Sequence, residues 1–86
     1  MPGINADRFG PATSAFAITP SDTTVYEAED VPKALFIGGT GNIRVLFVDD
    51  DTPVTLVNVA AGSVYPFKVR RVYSTSTTAT NIVGLI

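Results

Sequence analysis

The rhythm of the apolar runs restricts this chain more than any other feature. From Ala15 onward, short β-branched and aromatic segments alternate with clusters of Gly, Pro, Asp and Ser. They recur about every ten residues, the spacing of antiparallel sandwiches and barrels. "AFAIT" (Ala15–Thr19) is closed by Pro20-Ser21-Asp22, and "TTVYE" (Thr23–Glu27) leads to the acidic turn "EDVP" (Glu29–Pro32). "KALFIG" (Lys33–Gly38) runs into the glycine loop "GGTGN" (Gly38–Asn42), and "IRVLFV" (Ile43–Val48) into "DDDTP" (Asp49–Pro53). "VTLVNV" (Val54–Val59) precedes "AAGS" (Ala60–Ser63), "VYPFKVRRVYS" (Val64–Ser74) reads as the longest strand, and "ATNIVGLI" (Ala79–Ile86) closes the series. No window keeps apolar residues at helical spacing for ten residues, so helix content is expected to be very low. The expected fold is all-β: a small antiparallel β-sandwich or barrel, jelly-roll-like, over residues 15–86. Residues 1–14, interrupted by Pro2, Gly3, Gly10 and Pro11, read as an extended N-terminal arm.

A domain of 86 residues sits where apolar burial and chain entropy nearly cancel. Cys and His are both absent, which removes disulfides, thiolate and imidazole metal ligands, and the usual catalytic nucleophiles and bases. No enzyme activity and no cofactor are expected, and self-association is left as the expected source of extra stability. Only 16% of residues are charged, with a net charge of −2. A surface so poor in charge and rich in Thr, Val and Ala suits a subunit partly covered by neighbours, whereas a nucleic-acid binder needs a basic face. The N-terminal stretch lacks the basic and apolar regions of a secretory signal, and no apolar run approaches the roughly 18 residues of a membrane helix. Neither a nucleic acid nor a membrane is expected as partner. Synthesis and retention in a cytoplasm are expected, unless the chain leaves within a larger particle.

The candidate motifs have plain structural readings. A phosphate-cradling loop needs a following helix and a Lys-Ser/Thr pair. Gly38–Asn42 opens into a strand without that pair, so a hairpin turn with positive-φ glycines is expected there. Asp49-Asp50-Asp51 lacks the alternate ligand spacing and terminal Glu of a calcium loop and reads as a solvated hairpin tip. Alternation along Val54–Val59 puts Val54, Leu56 and Asn58 on one side and Thr55, Val57 and Val59 on the other. "STSTT" (Ser74–Thr78) suits a loop, an edge strand or a subunit contact equally.

Arg70 and Arg71 stand side by side in an apolar strand, with Lys68 just before them. Strict alternation would align Arg71 with Phe67, Val69 and Tyr73, facing an unpaired charge toward apolar neighbours. A bulge near Arg70 resolves the conflict by turning both arginines outward and Val72 inward. The acids then available to the pair, within or between subunits, are Glu27, Glu29 and Asp30. The candidates for a subunit interface are Lys68, Arg70, Arg71, Tyr73, Thr75 and Thr77.

The order of features from Val31 onward carries a further signal. "VPKALFIGGTGNIRV", an acidic turn and "VTLVNVAAGSVYPFKVRRVYSTSTTATNIVGL" follow one another without a gap. This resembles the head-spike base proteins of tailed phages and gene transfer agents. The resemblance rests on Ala34–Ile37 with its glycine turn, Val57-Asn58-Val59, Ala61-Gly62, Pro66, Val69-Arg70-Arg71-Val72, Thr77–Thr80 and Ile82-Val83. "AFAITPSDT" (Ala15–Thr23) resembles the family's lead-in strand. The chain departs from the family at Ala60, where Pro is usual, and at Ser76, where Gly is frequent. The resemblance implies a virion structural protein at the capsid surface, made in a bacterial host's cytoplasm, that self-assembles and anchors a spike or fibre. The implied partners are further copies of itself (a pentamer before a trimer), a major capsid protein and a spike or fibre protein. A trimeric capsid decoration protein or a tail-associated β module is the alternative. A stand-alone carbohydrate-binding module has less support, because there is no Trp and aromatic platforms would fall to Tyr26, Tyr65 and Tyr73.

Overall fold

The computed structural model describes residues 11–86; most of the expected arm, residues 1–10, lies outside the described residues. Seven strands follow in chain order: β1 (Ala15–Ala17), β2 (Ala34–Gly39), β3 (Gly41–Phe47), β4 (Val54–Val59), β5 (Ser63–Tyr65), β6 (Val69–Val72) and β7 (Thr80–Leu85). A single 3-10 turn occupies Ala28–Asp30. The strands form two antiparallel sheets, one ordered β1-β7-β2-β5 and the other β4-β3-β6. The fold is thus the all-β sandwich of the two expected forms, with no closed barrel. Backbone pairing beside β1 begins before Ala15, since the Thr13 and Ser14 amides donate to the Ile86 carbonyl.

The core lies between the sheets. Leu35, Ile37 and Ile82 of the first sheet meet Ile43, Val45, Val59, Val69 and Val72 of the second, joined by Ile18 and Ala79. Aromatic rings close the rim: Phe67 stacks on Tyr65 at 5.2 Å and meets Phe47 edge-on at 5.6 Å. Phe16 meets Tyr26 edge-on at 5.5 Å. Burial of Tyr26 pushes its phenol above its ordinary value of 10.0.

Several local expectations are corrected by how the chain moves between sheets. Gly38–Asn42 is no hairpin: β2 and β3 belong to different sheets, and Thr40 marks the crossing. Its glycines do not have positive φ; among the described residues the positive-φ glycine is Gly62, at 77°. They serve close approach instead. A Cβ on Gly39 would stand 1.9 Å from Thr80 Oγ1, and one on Gly41 2.5 Å from the Ala79 nitrogen. The run Val64–Ser74 is not one strand either. It breaks at Pro66 into β5 of the first sheet and β6 of the second. Proline has no amide to donate to a ladder, and the Phe67 amide turns back to the Tyr65 carbonyl.

Thr23–Glu27 is irregular rather than a strand. It belongs to a strap along the free edge of β6, where Ser21 N donates to Val72 O and Tyr26 N to Arg70 O. Between these two points no ladder forms, so β propensity there yields to an occasional tie. In β4, alternation fails at a bulge: Gly41 pairs with Val59 but Ile43 with Leu56. Asn58 takes φ 65° and donates its amide to Asn42 Oδ1. The extra residue turns Leu56 and Val59 both toward the core and leaves Val57 72% exposed. Asp49–Pro53 is the expected hairpin tip, joining neighbours β3 and β4.

Candidate assembly surface

The arginine pair sits on a bulge. Leu46 pairs with Arg71 and Phe47 with Val69, which leaves Arg70 as the extra residue on β6. Val69 and Val72 are both buried, and both arginines are turned out of the core. A bulge is the arrangement that reconciles two adjacent cations with apolar neighbours on either side.

The partners of the pair differ from those expected. Arg70 Nη2 donates to the Asp50 carbonyl at 2.6 Å and lies 3.8 Å from Asp51 Oδ1. Within the chain the hairpin tip, and not Glu27, Glu29 or Asp30, takes Arg70. The cause is register: the bulge aims Arg70 along β3 toward its turn. The carboxylate of that ion pair is fully exposed, so the pair contributes little.

Arg71 reaches no carboxylate. Its Nη1 donates to the Asp22 carbonyl and to the Tyr73 hydroxyl, each at 3.3 Å. Its guanidinium carbon lies 5.2 Å from the Tyr73 ring centre, and that of Arg44 lies 4.8 Å from the same ring. Tyr73 therefore has two guanidinium groups over its ring within cation–π distance, an arrangement favoured by the ring quadrupole. The Nε atoms of Arg70 and Arg71 are buried without a hydrogen-bond partner. Leu46 pairs with Arg71 and lies two positions after Arg44, so all three share the outer face of the β4-β3-β6 sheet. Leu46 is 6% exposed although it stands outside the core cluster, which is what aliphatic arginine stems covering it would produce.

The hydroxyl tract is employed within the chain. Asp22 Oδ1 accepts from the Ser74 and Thr75 amides at 3.0 Å, and its Oδ2 accepts from the Thr75 hydroxyl at 2.5 Å. These bonds, that from the Thr75 hydroxyl foremost, hold the Asp22 carboxyl below its ordinary value of 3.8. Thr77 Oγ1 accepts from the Arg44 amide and Thr78 Oγ1 from the Asn42 amide. The loop thereby completes the upper edge of β3, where β6 no longer reaches. Ser76 turns the loop with φ 69°, at the position where the resembled family often has Gly.

Of the six interface candidates, Arg71 and Tyr73 are brought together on one outer face. Arg70 lies beside them but is tied to the hairpin tip, and Lys68 is exposed in the crossing segment. Thr75 and Thr77 spend their hydroxyls internally. Arg44 and Asp22 are central to the site and were not singled out from the sequence. Arg44 is a lone cation at an outward position of β3, a pattern shared by any solvated residue. Among the described residues no three or more acidic side chains gather where they could hold a metal ion, and no described helix is long and apolar enough to cross a membrane.

No family model and no curated protein matches the chain. Among solved structures it is similar to a chain in one described as the capsid of a native GTA particle computed with C5 symmetry. The two share 33% identity over 92% of this chain and 88% of that one, with a TM-score of 0.78.

Proposed function

Since the chain belongs to the capsid-associated structural proteins of gene transfer agents and phage-like particles, we propose that it is the base subunit of a head spike. In this reading copies of the chain assemble at a five-fold vertex, rest on the major capsid protein and hold a spike or fibre above the shell. The observation that carries it is the near-complete overlap, at 33% identity, with a chain in a particle capsid treated with C5 symmetry. The residues are consistent with a role made of contacts alone. Catalytic His and Cys are missing from the sequence, and the most organised side-chain group outside the core is a cation–aromatic stack on an outer sheet face.

Two measurements test the proposal. Light scattering on purified protein should give the mass of a pentamer at micromolar concentration; a trimer would favour a decoration protein on the capsid lattice. A particle map at side-chain resolution should place this chain at the vertices beneath a protruding fibre. Density for it on the tail, or a strictly monomeric solution state, would overturn the reading.

A further inference from the structure

We infer that the outer face of the β4-β3-β6 sheet is the socket for a second copy of this chain, and that the acidic turn Glu27–Asp30 of the neighbour fills it. This deepens the proposed function and rests on its premise that the chain self-assembles.

The socket is built from Arg44, Arg71 and Tyr73. Both guanidinium groups lie over the Tyr73 ring, at 4.8 and 5.2 Å. Contact with the ring restrains both guanidinium groups before any partner arrives, so less side-chain entropy remains to be lost. Among the described residues neither group meets a carboxylate: Arg71 has only a carbonyl and a phenol, and Arg44 has only the ring. A planar fork of this kind is matched by carboxylates. Val57, 72% exposed on β4 two residues beyond the Thr55 that pairs with Arg44, offers the partner an apolar contact.

The plug is chosen by charge complementarity. Glu27, Glu29 and Asp30 are exposed and surround one 3-10 turn, and no cation of the described residues forms an ion pair with any of them. The other acidic group, Asp49–Asp51, is already engaged by Arg70 of its own chain. Among the described residues, an arginine socket that meets no carboxylate and an acidic turn that joins no ion pair form a heterologous pair. Repetition of such a contact builds a ring when its rotation closes.

The test is a charge exchange followed by sedimentation equilibrium. Arg44→Glu with Arg71→Glu reverses the socket, and Glu29→Arg with Asp30→Arg reverses the plug. Each pair should weaken self-association at least about tenfold, and the four changes together should recover most of it, as close interfacial charge pairs couple in this way. Association of the unmodified chain should also weaken between about 50 and 500 mM salt. The plug variant lies on an exposed turn away from the core, so it remains informative even where the socket variant unfolds. A plug variant that assembles like the unmodified chain, or a four-fold variant no better than either pair, overturns this contact while leaving self-assembly standing. An unmodified chain that stays monomeric overturns both.

Discussion

Asp22 shows how one side chain shapes a loop fifty residues away in sequence. Its carboxylate takes two amides and a hydroxyl from Ser74 and Thr75. Asp22→Ala should speed amide exchange at those two residues and lower the melting midpoint, and Asp22→Asn should fall between. The acid response follows from the sign of the shift. The folded carboxyl is held below 3.8, so its contribution is complete above that value and is lost as the pH falls through the lower folded one. The melting points of wild type and Asp22→Asn should therefore run parallel above about pH 5 and converge in stronger acid. Gly41 makes a second single-residue prediction. An added methyl would meet backbone at Ala79 and Thr78, at 2.5 and 2.7 Å, which cannot rotate away. Gly41→Ala should cost about 1–3 kcal/mol in urea unfolding, the usual range for forced overpacking. Some of this was legible beforehand: the misfit of Arg71 with its apolar neighbours pointed to the bulge at Arg70. The role of Asp22 was not, because a Pro-Ser-Asp triplet signals a turn without saying what the carboxylate will hold.

At the scale of elements, the strands were easier to read than their partners. β-Branched and aromatic runs located β2, β3 and β7, yet Gly38–Asn42, expected as a hairpin turn, is a crossing between sheets, as is the turn at Ala60–Ser63. Contacts with Thr78–Asn81 at the first and with β2 at the second separate the two cases, and local composition carries no trace of them. Thr23–Glu27 misled in the other direction. Its β-branched residues favour extension, but the segment gains only end-point hydrogen bonds to β6. The strap has a use, since it covers an edge that would otherwise invite pairing. On β4 the bulge at Asn58 exposes Val57 on the sheet face that carries Arg44. Val57→Lys should leave the stability of the isolated subunit within about 0.5 kcal/mol, as for most surface changes. It should nonetheless weaken self-association in the same sedimentation assay, and an unchanged dissociation constant would detach Val57 from the contact.

For the molecule as a whole, stability rests on a single small core shared by both sheets. Leu35 is fully buried and pairs with Tyr65 on one side and Gly84 on the other. Leu35→Ala should cost about 2–5 kcal/mol, a large part of the total for a domain of this size. Thermal unfolding should then become concentration-dependent if neighbours supply the missing support, because only the folded chain binds them. Topology adds a last consequence. β7 lies between β1 and β2, so the four-stranded sheet has no centre until residues 80–85 exist. While the ribosome still holds that segment, a nascent chain cannot join β1 to β2 and so cannot complete the first sheet. The β4-β3-β6 face and its opposing sheet are thus presented as one folded surface only after synthesis has passed β7.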